Sequence, residues 1–222
     1  EIMPSLVGSE MCIRDSKIIK KDGTKLKPNQ IILQVSGNAR TVLSCERTAL
    51  NLLSRMSGIS TQTDFLVSKI RKINRKTKLY STRKTAPGLR FFDKEAIMIG
   101  GGHKHRMSLN DMVMIKDNHL LVTNSMEGII KNARKRHKHV EVEVENQRDA
   151  ILAASSGATI VMLDNFSPVQ IKKTITALQK KKLRNKIKLE ASGGINSKNI
   201  TAYAKTGVDM ISVGSITNSV KG

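Results

Sequence analysis

The sequence predicts an α/β protein whose main body is a β/α barrel. From Leu79 onward, short apolar runs alternate with stretches of helical periodicity, the pattern of parallel strands joined by crossover helices. At least six such units follow one another, which favours a closed or nearly closed barrel over an open doubly wound sheet. Each apolar run also ends in polar residues, and in a barrel those ends converge on the face where sites are built.

The elements follow in order. Residues 1–16, EIMPSLVGSEMCIRDS, lack both the periodicity and the Lys-rich composition that starts at Lys17. They are expected to be a non-native leader outside the fold. Residues 17–77 form a smaller N-terminal part. Within it, KIIKKDG and LKPNQIILQVSG read as short strands and turns, with Asp22–Gly23 as a turn signal. A helix is expected from about Ser44, with Ala49, Leu50, Leu53 and Met56 on one stripe and Gly58 as its stop. A second runs from about Thr61 to Asn74, with Phe65, Leu66, Ile70 and Ile73 on one face. Residues 78–222 form the barrel. Its strands are expected at 78–82, 112–116, 140–144, 159–164, 187–192 and 210–215, and its helices near 88–99, 125–137, 147–156, 168–180 and 197–206.

Composition narrows the function. Aromatics make up 3% and Trp is absent, so aliphatic residues and ten Met must fill the core. Two cysteines, Cys12 and Cys45, are too few for a disulfide framework, which points to a reducing, cytoplasmic setting. No run approaches the roughly 18 apolar residues of a membrane span, and the N-terminus has no secretory pattern. The formal charge of +21 favours anionic ligands. Two basic runs, KNARKRHKH (131–139) and QKKKLRNKIK (179–188), lie where a helix ends and a strand begins, far from any aromatic. Single-strand binders interleave cations with stacking aromatics, so these runs read as solvated surface.

The strand ends carry the chemistry. Arg83 and Lys84 follow the first barrel strand, Arg106 and His103 and His105 follow a glycine triplet, and Lys116 closes MVMIK among apolar neighbours. Such a set suits a ligand with several carboxylates or phosphates; by itself the Arg83–Lys84 pair could be a charged turn. His103 and His105 have a spacing open to metal ligation, but Lys104 and Arg106 would repel a metal ion, so anion recognition is the better reading. Glu143 and Asp164 end consecutive strands. Such a pair can bind sugar hydroxyls, hold Mg²⁺ through water, or stabilise positive charge on a ribose, with a glycosidase-like pair as a competing use. In VEVEVEN the alternation puts Glu141, Glu143 and Glu145 on one face, so which one acts is open. Ser192, Gly193 and Gly194, and then Gly214 and Ser215, make two glycine loops of the kind that cradles phosphate after the late strands of a barrel.

Seven collinear stretches, ERTALNLLSRMSGIST, STRKTAPGLR, GGGHKHRMSLNDMVMIKDNH, VEVEVEN, VMLDNF, LEASGGI and TGVDMISVGSIT, resemble the quinolinate phosphoribosyltransferase family from about Lys17 to the end. The resemblance implies an incomplete β/α (TIM-like) barrel with an N-terminal α/β-sandwich domain, here truncated, in an obligate dimer. It implies transfer of the phosphoribosyl group of phosphoribosyl pyrophosphate to quinolinate, with decarboxylation, giving nicotinate mononucleotide, pyrophosphate and CO₂ for NAD synthesis. Mg²⁺ would accompany the pyrophosphate donor, with no organic cofactor. By the same resemblance, Arg83, Lys84, His105, Arg106 and Lys116 bind quinolinate, and Arg47 enters the neighbouring subunit's site. Glu143 and Asp164 contact the ribose hydroxyls and the Mg²⁺-bound donor, and Ser192, Gly193, Gly194, Gly214 and Ser215 hold the 5′-phosphate. Lys116, Glu143 and Asp164 are the residues at the chemistry. The alternatives are a related transferase with another acceptor, a basic nucleic-acid-binding protein, and an inactive fragment.

Overall fold

The computed structural model describes residues 13–108, 112–116 and 125–220. Of the expected features, Cys12, residues 1–12 and His119 lie outside the described residues. The chain opens with an antiparallel pair, β1 (Ile13–Ile18) and β2 (Leu33–Gly37). Residues 13–16, expected to be leader, are thus paired within the fold, which corrects that boundary. All five residues of β2 are exposed.

One helix then runs unbroken, α1 (Ala39–Ile73). Two helices were expected, the first starting near Ser44 and stopping at Gly58. The start moves because the Asn38 side chain caps the helix, accepting from the N–H groups of Arg40 at 3.0 Å and Thr41 at 3.4 Å. Gly58 fails as a stop because packing outweighs its propensity cost of about 1 kcal/mol. Met56, Ile59, Thr63, Leu66, Val67 and Ile70 are all buried on the barrel side of the helix. At about 1.5 Å per residue, the less buried N-terminal half of α1 projects beyond that contact.

The barrel follows: β3 (Lys78–Tyr80), α2 (Arg90–Ile99), β4 (Val113–Ile115), α3 (Met126–Arg136), β5 (Val140–Val144), α4 (Gln147–Ser155), β6 (Ile160–Asp164), α5 (Pro168–Lys180), β7 (Lys188–Ser192), α6 (Ile200–Ala204), β8 (Met210–Ser212) and α7 (Ser215–Asn218). Every expected strand and helix is present, some shorter by up to three residues at an end. The strands form one parallel sheet in the order β3-β8-β7-β6-β5-β4. Beyond β3, His103 adds a single parallel bridge to Tyr80. Its N–H donates to the Leu79 carbonyl at 2.9 Å, and its carbonyl accepts from Ser81 N–H at 3.0 Å. The ladder thus reaches from the His103 segment round to β4 without hydrogen-bonded closure between those two ends among the described residues.

Alternation sorts the strands. One set of positions, Leu79, Val142, Val144, Val161, Leu163, Leu189, Ala191 and Ile211, is almost wholly buried, as it must be where helices cover a parallel sheet. The other set is linked by register: Glu143 pairs with Met162, Met162 with Glu190, Glu190 with Met210 and Asp164 with Ser192. That face is the barrel interior, and it carries the charges.

Glycines decide how closely the His-bearing segment packs. A Cβ on Gly100 would lie 2.5 Å from the Ser60 carbonyl and 2.6 Å from Thr63 Cβ, and one on Gly102 would lie 2.9 Å from Thr63 Cγ2. The turn in this segment is made by Gly101, with φ +81°. Its neighbours are there so that the chain can lie directly on α1.

Candidate active site

Lys116 and Glu143 meet at the ends of β4 and β5, with Lys116 Nζ 2.6 Å from Glu143 Oε2. Glu143, two residues past the buried Glu141 on the same face, is mostly buried with its side chain 17% exposed, while Glu145 beyond the strand is exposed. On the next strand Asp164 Oδ2 accepts from Asn165 Nδ2 at 2.6 Å. Asn165 adopts φ +55°, and its N–H donates to the Ser192 carbonyl at 2.9 Å. This brings the Asp164 turn against the Ser192–Gly193–Gly194 loop. Gly193 is obligatory: φ is +89° and a Cβ would sit 2.2 Å from Asn165 Oδ1.

The second glycine loop meets the Arg83–Lys84 turn. A Cβ built on Gly214 would lie 3.6 Å from Thr82 Oγ1 and 3.7 Å from Lys84 Cδ, and Thr217 Oγ1 donates to the Lys84 carbonyl at 2.7 Å. Behind this contact lies a buried knot. Arg55 of α1 donates from Nε and Nη2 to the two oxygens of Asp93, at 2.7 and 2.8 Å, and from Nη2 to the Thr217 carbonyl at 2.9 Å. Asp93 also accepts from Ala86 N–H at 3.3 Å. Hydrogen bonding to Asp93, partly offset by burial, raises the Arg55 pKa above its ordinary value. Lys94, fully buried, donates to Ser81 Oγ at 2.8 Å and to the Lys104 carbonyl. Arg83 and Lys84 are therefore held from below by α1, α2 and α7.

His105 stands in the barrel interior. It adopts φ +54°, a left-handed conformation in which His is among the better tolerated residues. Its Nε2 lies 3.2 Å from Glu190 Oε2 and 3.5 Å from Glu141 Oε2. Both acids are fully buried. Burial alone would lower the pKa of His105, but hydrogen bonding to Glu141 and Glu190, with their charge, outweighs it and raises it to about 9. Burial raises the Glu141 pKa, and the His105 bond opposes that shift. The two acids thus favour the protonated ring. The ligand atoms of His105, Glu141 and Glu190 lie within 4.8 Å of one another, so both carboxylates bear on the one ring. Arg106, largely buried, turns toward β4, donating to the Met112 carbonyl at 3.4 Å and to Met114 Sδ at 3.0 Å. His103 instead stacks on Tyr80 with ring centroids 5.0 Å apart, and Lys104 pairs with Glu95.

Most of the residues singled out in the sequence thus lie at the strand ends or just inside them: Arg83, Lys84, His105, Arg106, Lys116, Glu143, Asp164, Ser192, Gly193, Gly194, Gly214 and Ser215. Arg47 is exposed on the projecting half of α1. Sequence reasoning weighed Glu141 only as a rival to Glu143, and it missed the roles of Glu141 and Glu190 beside His105 and the Arg55–Asp93 knot. A carboxylate at an inward position of a buried strand was the available signal for the first two. A groove of about 660 Å³ between α1 and α7, lined by Leu50, Leu53, Thr61, Ser215, Ile216 and Val220 among others, has no charged lining residue. It lacks the groups to hold a polyanion, and the chemistry belongs to the barrel mouth.

Comparison with known proteins agrees with this geometry. The sequence profile for "Quinolinate phosphoribosyl transferase, C-terminal domain" matches residues 59–222, and that for the N-terminal domain matches residues 11–57. The two matches meet inside α1, whereas the sequence pattern alone suggested a boundary at 77. A protein of Archaeoglobus fulgidus named probable nicotinate-nucleotide pyrophosphorylase [carboxylating] is 43% identical over 95% of this chain and 81% of its own length. Its counterpart in Methanothermobacter thermautotrophicus is 44% identical, over 95% and 78%. Among solved structures, the nicotinate-nucleotide pyrophosphorylase of Francisella tularensis superposes with a TM-score of 0.88 at 39% identity, over 97% of this chain and 75% of that one. The enzyme of Ehrlichia chaffeensis superposes with a TM-score of 0.89 at 34% identity, over 100% and 78%.

Proposed function

This chain belongs to the quinolinate phosphoribosyltransferase family, and we infer from that premise how its barrel mouth divides the work of the reaction. The reaction transfers the phosphoribosyl group of phosphoribosyl pyrophosphate to quinolinate with loss of CO₂, in NAD biosynthesis. The observation that carries the division of labour is the Lys116–Glu143 contact at 2.6 Å between neighbouring strand ends. Without substrate, the cation and the carboxylate neutralise each other. A dicarboxylate acceptor takes Lys116, and the ribose hydroxyls of the donor take Glu143.

Arg83, Lys84, His105 and Arg106 complete the acceptor's cation set, offsetting the repulsion between a dicarboxylate and a polyphosphate. The ring nitrogen attacks C1 and pyrophosphate departs. Positive charge develops on the ribose, which Glu143 and Asp164 stabilise. The nitrogen, now cationic, stabilises the electron pair left at C2 when the carboxylate departs as CO₂, and C2 then takes a proton from solvent to complete the product. Ser192, Gly193, Gly194, Gly214 and Ser215 hold the 5′-phosphate through backbone N–H groups.

Mg²⁺ fits this donor set. Two carboxylates at adjacent strand ends are hard oxygen ligands, and Mg²⁺ commonly takes one or two carboxylates plus substrate phosphates. When bound it would neutralise pyrophosphate charge, held through Glu143 and Asp164 with the substrate. Arg47, exposed on α1, would complete the site of a second subunit in a homodimer. No helix among the described residues is long and apolar enough to cross a membrane. The test is direct: the protein with quinolinate, phosphoribosyl pyrophosphate and Mg²⁺ should form nicotinate mononucleotide. Absence of product from folded protein would sink the reading. Sedimentation of the chain as a monomer would sink the shared site.

A further inference from the structure

We propose that Glu190 and Glu141 are positioning residues, which fix the His105 ring as a cation beneath the acceptor pocket and thereby set the affinity for the acceptor's carboxylates. The inference rests on the reading of the mouth as a quinolinate site.

Geometry carries it. Three strands contribute to one buried cluster: Glu141 from β5, Glu190 from β7 and Ser212 from β8. Ser212 Oγ donates to Glu190 Oε1 at 2.5 Å, which leaves Oε2 to face His105 Nε2 at 3.2 Å. Glu141 Oε2 approaches the same nitrogen at 3.5 Å. Tyr80 meets the ring edge-on, with centroids 5.8 Å apart. The imidazole is thus held on one nitrogen by two acids and along its edge by an aromatic ring, in a left-handed backbone position that costs free energy unless its surroundings enforce it.

Charge balance gives the reason. Two fully buried carboxylates with no cation would be severely destabilised. One imidazolium offsets them, and Arg106 adds attraction to Glu141. The acids therefore need His105 charged. An acceptor carboxylate arriving in the mouth then meets a preformed cation whose ring is already oriented, with no ordering left to do at binding. A neutral, freely turning histidine would offer less on both counts. Removing Glu190 should harm acceptor binding through His105 more than donor binding, because the donor's loops begin beyond the ends of β7 and β8 and hold phosphate through backbone N–H groups.

The test measures quinolinate binding to the full chain by calorimetry, with KM for each substrate. Glu190→Gln should weaken quinolinate about 10-fold while the KM for phosphoribosyl pyrophosphate changes less than about 2-fold. In a His105→Ala background the same substitution should add less than about 2-fold, because its route is gone. Ser212→Ala, a milder change that frees Glu190 to turn, should weaken quinolinate about 3-fold, and it carries the test if Glu190→Gln does not fold. Variants that bind quinolinate like the wild type, or Glu190→Gln losing as much without His105 as with it, would overturn the proposal. Failure of the wild type itself to bind quinolinate would instead overturn the functional reading beneath it.

Discussion

In the barrel, Asp93, Lys94, Glu141 and Glu190 are fully buried, while in the N-terminal segment Ile18, Ile31, Leu33 and Val35 stand 68, 59, 41 and 43% exposed. Hydropathy alone would assign these residues the other way round. The barrel can bury charge because each charge has a partner on a neighbouring strand, helix or loop: Arg55 for Asp93, His105 for both glutamates, Ser81 and the Lys104 carbonyl for Lys94. Among the described residues, β1 and β2 of the N-terminal segment are paired only with each other. A two-stranded sheet cannot cover both of its own faces, so its apolar side chains remain at the surface for another layer to cover. The same sequence thus holds a region where polar groups are structural and one where apolar groups await contact.

Four experiments would break or sharpen that contrast. The largest effect is expected at the knot. Asp93→Ala leaves the Arg55 guanidinium and Ala86 N–H without their acceptor and should cost about 3–5 kcal/mol, read from urea unfolding. The comparison is Asp64→Ala, which breaks the exposed Lys25–Asp64 pair at 3.1 Å and should cost about 0.5 kcal/mol or less. Equal losses would mean that burial does not distinguish the two ion pairs.

Next come the cations. Lys116→Ala and Arg106→Ala should each lower kcat/KM for quinolinate about 100-fold, near 2.7 kcal/mol. Lys181→Ala, in the exposed run after α5, should stay within about 2-fold. Comparable losses at all three would show that the net charge of +21 acts as a diffuse field and not through the mouth.

The third is a pH dependence. His105 is raised from 6.5 to about 9 by Glu141 and Glu190, with Arg106 and Tyr80 the other titratable groups facing the cluster. The folded state therefore holds this proton more tightly than the unfolded chain. The stabilisation is complete below pH 6.5 and is lost as pH rises toward 9, by about 3 kcal/mol. The raised Glu141 pKa acts in the same direction. A unfolding free energy that is flat from pH 6.5 to 9, or equally sloped in His105→Gln, would contradict the buried cation.

The smallest effect should appear at the exposed apolar face. Val35→Thr should leave the unfolding free energy of an isolated subunit within about 0.5 kcal/mol. If β2 lies in a subunit contact, the same change should raise the dissociation constant measured by sedimentation. A large loss of subunit stability would show that β2 is buried by its own chain.

The alternation of apolar runs and helical stretches made the barrel legible, because a parallel strand buried on its outer face must be apolar at every other position. The mouth was legible for a related reason: Lys116, Glu143 and Asp164 follow apolar runs at points where a charge has no packing role. The knot was not, since Asp93 and Arg55 are 38 residues apart and nothing in the local pattern pairs them. Gly58 misled because a helix stop is a local preference, while the burial that carries α1 through it comes from elements more than twenty residues away in sequence.

The sequence by itself thus determined the order of the elements, which face of each strand meets the helices, and which side chains stand at the strand ends. Those follow from local rules of period, propensity and charge. Only the tertiary structure decided that Glu141 and Glu190 face the same nitrogen of His105, that Arg55 reaches across to Asp93, and that Gly100 and Gly102 lie against Thr63. Each of these joins residues on different elements. Their distances depend on how the sheet curves and how α1 crosses it, which no single stretch of the chain encodes.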